Sequence, residues 1–399
     1  MLPSLSTTPF ARDKFTWLAY LMLGMFAYLQ AGLGPVMPFL RGELNLSYTS
    51  AGLHFSAFSL GAVVTGLVSD KLAGRYGRKL LFWGGGALLV VGALLLIMAR
   101  HPAATITASF CMGLCGSTLL VMIQAGLSDH HGERRTIALT EANVMAIIFA
   151  GLAPLLIGGG QQAGLGWRTA IWLPVAIYFL LLILFRHQAI PDRSPDDNGA
   201  EPDGRTLHPL PLLFWAYWLV LILGIAIEWC VIYWGADFLT GQTALSPEMS
   251  ASLMGSFFLA MLIGRVTGSR LARRFTTASL LIVAIVITVA GFPLFWLGTT
   301  TPLKLVGLFV FGLGQANLYP LGLAAAMEAA PAQANTVSAR ITLGGGASVL
   351  AAPLLLGWLA DRVGIHNAFA VVAILLILVL SVALIAYQLT QSQKIAPSV

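Results

Sequence analysis

Ala153-Pro154-Leu155-Leu156-Ile157-Gly158 returns as Ala352-Pro353-Leu354-Leu355-Leu356-Gly357, 199 residues further on (352 − 153). Each copy lies inside an apolar run of about twenty residues, enough for one helix to cross roughly 30 Å of hydrocarbon. The shift is half the 399-residue chain, and it also brings Gly113 onto Gly312 and Leu72-Ala73 onto Leu271-Ala272. An internal duplication of this length in an apolar chain predicts two bundles built as a parallel repeat, with a site near the midplane between them.

Outward from this repeat, apolar runs fall near 16–39, 48–69, 80–99, 103–127, 136–158, 168–186, 211–239, 249–268, 277–298, 303–327, 338–359 and 368–389. The expected fold is an all-α polytopic membrane protein with twelve transmembrane helices in two pseudo-symmetric six-helix bundles. The polar stretch 187–210, with Asp192, Asp196, Asp197, Glu201 and Asp203, reads as a solvated cytoplasmic linker between a first bundle at 1–186 and a second at 211–399. The composition excludes a water-soluble fold: 58% of residues are hydrophobic and 10% charged, against about 25% charged in soluble domains. The bilayer is therefore the expected solvent.

The formal charge of +6 does not point to nucleic acid, because the basic residues occupy short gaps rather than one face. Fifteen Lys and Arg fall in gaps on the amino-terminal side, among them Arg12, Lys71, Lys79 and Arg274. Five fall opposite: Arg41, Arg100, Arg168, Lys304 and Arg362. The asymmetry predicts cytoplasmic termini in a cell membrane, the inner one in a bacterium. Cys111, Cys115 and Cys230 sit in apolar runs without metal or disulfide spacing. The first run continues to Phe39 with two prolines near its end, so it reads as a span rather than a cleavable signal.

Gly66-Leu67-Val68-Ser69-Asp70-Lys71 followed by Gly74-Arg75-Tyr76-Gly77-Arg78-Lys79 resembles the major facilitator signature after the second span, with Leu72-Ala73 as an apparent insertion. Gly166-Trp167-Arg168 and Gly357-Trp358-Leu359-Ala360-Asp361-Arg362-Val363-Gly364 extend the resemblance over the whole chain. It implies two bundles rocking about a central cavity, with Asp70 docking near the start of the eleventh span. It also implies that Arg75, in a basic cluster with Arg78, meets Asp129 in a gate. Gly312-Leu313-Gly314-Gln315-Ala316-Asn317-Leu318-Tyr319-Pro320 is similar to the tenth span of proton-coupled sugar symporters of the fucose-like group.

A charge deep in a span costs about 2.5–3.5 kcal/mol on insertion scales, so it needs a cavity, a partner or a proton. Glu228 lies centrally in the seventh span, and is a candidate proton carrier. Glu141 and Arg340 are repeat-equivalent (340 − 141 = 199) and invite pairing across the cavity, with Glu141 a second proton candidate and Arg340 its partner or a substrate anchor. Tyr28 and Gln30 flank position 29, the equivalent of Glu228. With Gln124, Trp229, Tyr233, Asn317 and Tyr319 they form the candidate substrate set, which His54 and Trp234 extend. Asp237 and Glu248 fall at the periplasmic end of the seventh span, where water is expected to suffice. His130, His131 and Glu133 occupy a short basic loop with no distal metal ligand.

No nucleophile with a base, metal set or phosphate loop points to an enzyme, and no cofactor is implied. The leading expectation is a secondary transporter of a small polar organic solute, sugar-like by the tenth-span resemblance and proton-coupled. Its partners would be that solute, H+ and the lipid bilayer, with the single chain as the functional unit. The competing expectations are proton-driven efflux of drugs or amphipathic metabolites and, in another class, a membrane-embedded solute sensor.

Overall fold

The computed structural model describes residues 10–191 and 209–395. The expected linker lies largely outside the described residues, at 192–208, together with Arg193, Arg205 and its five acidic side chains; the side chain of Lys394 lies outside them too. Among the described residues there is no β-strand. The first half comprises α1 (Lys14–Leu44), α2 (Tyr48–Tyr76), α3 (Arg78–Met98), α4 (Pro102–His131), α5 (Arg135–Gln162) and α6 (Thr169–Phe185). The second comprises α7 (Leu212–Gln242), α8 (Pro247–Leu253), α9 (Gly255–Leu271), α10 (Thr277–Leu297), α11 (Thr301–Ala329), α12 (Ala334–Ala368) and α13 (Ala370–Ile395).

Among the described residues ten segments are long and apolar enough to cross a membrane. One of them, 102–162, contains both α4 and α5, turned at Gly132–Arg134, while α8 and α9 together make the single segment Pro247–Leu271. Adding the shorter apolar helix α6 gives twelve crossings, six in each half. Local sequence sets the breaks. Asp13, Ser47, Ser246, Thr276 and Thr300 accept N–H bonds at the first turns of α1, α2, α8, α10 and α11, which satisfies amides the helix itself leaves orphaned. Gly77, at φ +78, ends α2 and starts α3 in a conformation that L side chains rarely adopt.

The repeat survives as packing. Gly113 receives the backbone of Phe58 where a side chain would collide, and Gly312 receives that of Phe257, both partners again 199 apart (257 − 58). Gly92 packs on Met112 and Gly291 on Phe311 by the same shift (291 − 92; 311 − 112). Phe39 stacks on Trp167 at 6.5 Å and Phe238 on His366 at 6.2 Å, also equivalent (238 − 39; 366 − 167). Between the halves, α1 crosses α7 where Gly34 meets Ile232 and Tyr233. Residues 34 and 233 are themselves equivalent (233 − 34), so this crossing sits on the pseudo-twofold axis.

Candidate functional site

Between the halves lies a cavity of about 310 Å³. Gln30 of α1, Ser59 of α2, Glu228 and Trp229 of α7, Arg265 of α9, Tyr319 of α11 and Thr342 of α12 supply its functional groups, and Phe58, Ile225, Ile341 and Val349 supply apolar wall. A cleft of about 650 Å³ continues it between α2 and α12, sharing Ala62, Thr342 and Gly346 and running past Gly66, Leu67 and Ser338 toward the end that carries both termini. Gln315, almost fully buried, donates to Gly224 O at 2.8 Å and to Glu228 Oε2 at 3.3 Å. This fixes the Glu228 carboxylate on the cavity wall. The Nε of Arg265 and the Oε1 of Gln315 are buried without a hydrogen-bond partner.

Away from the termini the halves are sealed. Phe55 of α2 stacks on Tyr233 of α7 with centroids 4.0 Å apart and planes 2° from parallel. Ser56 donates to Leu350 O at 2.6 Å. Arg41 of α1 pairs with Asp237 of α7 at 2.5 Å while lying 3.5 Å over the Tyr48 ring. Asp361 of α12 accepts the Tyr48 and Thr49 amides at 2.7 Å each, capping α2 from the opposite half. These contacts lie in the helix halves remote from the termini, whereas Asp70, Arg75 and Arg340 near the other end are exposed. The cavity is thus closed on one side and open on the other.

The sequence model of the Major Facilitator Superfamily matches residues 16–240 and 217–398, nearly the whole chain. The chain belongs to this superfamily. It is a multi-pass membrane protein and a secondary transporter rather than an enzyme. An uncharacterised major facilitator transporter of Yersinia pestis is 24% identical over 368 residues, covering 88% of this chain and 92% of the relative. Multidrug resistance protein MdtL of Vibrio parahaemolyticus is 30% identical over 121 residues, 30% of this chain and 31% of that one. A solved bacterial homologue of the human lysosomal transporter Spinster superposes with a TM-score of 0.77 at 14% identity, covering 95% of this chain and 98% of that one. That likeness carries the fold.

Within this major facilitator the expected site residues part company. Gln30, Glu228, Trp229 and Tyr319 face the cavity. Tyr28 does not: its hydroxyl donates to Ala170 O of α6 at 2.9 Å inside the first bundle. Tyr233 belongs to the seal, and Asn317 donates to Gly264 O at 2.9 Å, binding α11 to α9. Gln124 is exposed on α4 and does not line the cavity. His54 is buried between Ser50 O and Thr105 Oγ1, and Trp234 donates to Pro353 O. The expected pairing of Glu141 with Arg340 is not formed. Arg12 holds Glu141 at 2.6 and 2.8 Å, Tyr20 donates to it at 3.1 Å, and Arg340 stands exposed.

The gate is also rearranged. Arg78, not Arg75, pairs with Asp129, because α2 ends at Tyr76 and leaves Arg75 outward on its last turn while Arg78 opens α3 against α4. Asp70 makes no hydrogen bond or ion pair among the described residues. Asp237, expected in water, is 5% exposed and paired. His130 and His131 reach Asp13 and Thr16 at 2.8 Å each and tie the start of α1 to α4. Burial alone would raise the Asp13 carboxyl, but the Thr16 donors and His130 hold it below the ordinary carboxylate value.

Ser59, Arg265 and Thr342 line the cavity without having stood out in the sequence. Arg265 falls inside the run 249–268 but close to the basic loop that follows, so it reads as part of that loop. Counting finds it: of 22 Lys and Arg, fifteen and five lie in gaps and Arg340 lies in a span, so one more intramembrane cation had to be placed.

Proposed function

We propose that this transporter moves a small polar organic solute by alternating access, coupled to protons through Glu228. The observation that carries the reading is the position of Glu228 on a cavity between the halves, opposite hydrogen-bonding groups and beside an arginine. A volume of about 310 Å³ is at the low end of the roughly 300–1,000 Å³ usual for small-molecule sites. Trp229 and Tyr319 offer aromatic faces, while Gln30, Ser59 and Thr342 offer donors and acceptors, a lining suited to a hydroxylated ring. The similarity of 312–320 to sugar symporters supports the same solute class, since Tyr319 of that stretch lines the cavity. The Lys and Arg asymmetry supports cytoplasmic termini in an inner membrane, so that the observed opening faces the cytoplasm. A complete cavity within one chain supports a monomer as the working unit.

The competing reading is proton-driven efflux of amphipathic compounds, favoured by the apolar cleft between α2 and α12 and by the partial likeness to MdtL. Proteoliposomes carrying an internal pH dye separate the two. A panel of sugars, organic acids and lipophilic cations is added to wild type, and the account expects proton movement with a sugar or organic acid. A signal confined to lipophilic cations would transfer the assignment to efflux.

A further inference from the structure

Arg265 is the one cationic side chain among those lining the central cavity, and Glu228 the one acidic side chain. Arg265, Glu228 and Tyr319 line the same small cavity, yet no salt bridge within 4 Å joins Arg265 to Glu228 among the described residues. Arg265 makes no hydrogen bond among these residues either, and its Nε is buried without a partner. A guanidinium presents five donors in a planar fork, and leaving a buried donor of a charged group unmet costs more than the same omission in a neutral one. Glu228, by contrast, is already engaged by Gln315, itself locked to Gly224 O at 2.8 Å. The carboxylate is thus held to its wall by a neutral amide, and the arginine, which lines the same cavity, has no hydrogen-bond partner among the described residues.

An unpartnered guanidinium on a cavity wall suits one kind of partner: a planar anion accepting two N–H bonds. We infer that the solute is a small hydroxylated carboxylic acid of sugar size, whose carboxylate binds Arg265 and whose hydroxyls meet Gln30, Ser59 and Thr342. The inference rests on the reading of this cavity as the transport site. With the solute carboxylate on Arg265, Glu228 loses the nearby positive charge that favours its ionised form and takes up a proton. The loaded cavity then holds one neutral ion pair and one neutral acid, with no net charge, where an ionised Glu228 beside the solute would leave one uncompensated negative charge. Arg265 is therefore both anchor and relay: the solute anion and the Glu228 carboxylate share its field, and binding of one proton accompanies binding of one anion.

Counterflow in proteoliposomes, which needs no proton gradient, tests the anion site independently of coupling. Radiolabelled gluconate and glucuronate are exchanged against themselves in wild type, Arg265→Gln, Arg265→Lys and Tyr28→Phe proteins of equal monodispersity, with glucose as the neutral control. Wild type is expected to exchange a sugar acid and not glucose. Arg265→Gln is expected to raise half-saturation by roughly thirtyfold or more, the usual consequence of truncating a desolvated charge pair, with Arg265→Lys between the two and Tyr28→Phe at the wild-type value. Equal exchange of glucose, no exchange of either acid, or a wild-type half-saturation in Arg265→Gln would each overturn the inference. Arg265-dependent exchange of an acid without proton movement would leave the anion site standing and strike only the proton coupling.

Discussion

Around Glu228, single side-chain directions decide what touches the cavity. Residues on a helix step by about 100°, so positions two apart face nearly opposite ways. Gln30 therefore lines the cavity while Tyr28 reaches Ala170, and Tyr319 lines it while Asn317 reaches Gly264. Glu228 was legible in the sequence as a carboxylate deep in apolar residues; which of its neighbours share its face was not, because flanking a position in number is not sharing its direction. Tyr28→Phe is expected to leave transport half-saturation unchanged and to lower stability by about 1 kcal/mol through loss of one buried hydrogen bond, measurable as a small drop in melting temperature with unaltered uptake. Gln315→Leu removes the amide that fixes Glu228 and is expected to weaken coupling, read as fewer protons moved per solute, more than it weakens solute exchange.

At the scale of elements, helix ends carry the contacts that seal the halves away from the termini. Asp361, in the stretch that resembles the superfamily pattern after the eleventh span, caps α2 across the halves, and Arg41 with Asp237 ties α1 to α7. Removing one partner of a buried ion pair costs about 3–5 kcal/mol, borne by the sealed state alone. Asp237→Asn is expected to shift the population toward opening on the side away from the termini, seen as faster labelling of a cysteine placed at Ser56 by an impermeant thiol reagent added from that side. Unchanged labelling would remove the pair from the seal. The signature loop shows where sequence reading stops. Its basic cluster was evident, but Gly77 ends α2 one residue after Tyr76, so Arg78 rather than Arg75 reaches Asp129. Arg78→Ala is accordingly expected to cost more stability than Arg75→Ala, which a thermal-melt comparison resolves.

Over the whole molecule, the 199-residue shift was the most informative reading available, because duplicated glycines keep duplicated contacts: Gly113 with Phe58 and Gly312 with Phe257. Conformation was not legible, since under the proposed alternating access one sequence encodes both open states. The pairing of Glu141 with Arg340 was read from equivalent positions, but the halves stand apart at that end and Arg12 takes the carboxylate instead. The axis crossing gives a further expectation. A side chain at Gly34 collides with the backbone of Ile232, so Gly34→Val is expected to prevent this sealed state and abolish exchange while leaving each bundle folded, as judged by monodisperse elution and retained helical circular dichroism.

The claim on which the rest depends is that Glu228 couples the proton to the solute at the midplane. Its most direct test is paired counterflow and solute-triggered proton uptake in proteoliposomes of wild type and Glu228→Gln. The account predicts that wild type shows both, and that Glu228→Gln keeps exchange but loses proton uptake. Proton uptake of wild-type size in Glu228→Gln would contradict it.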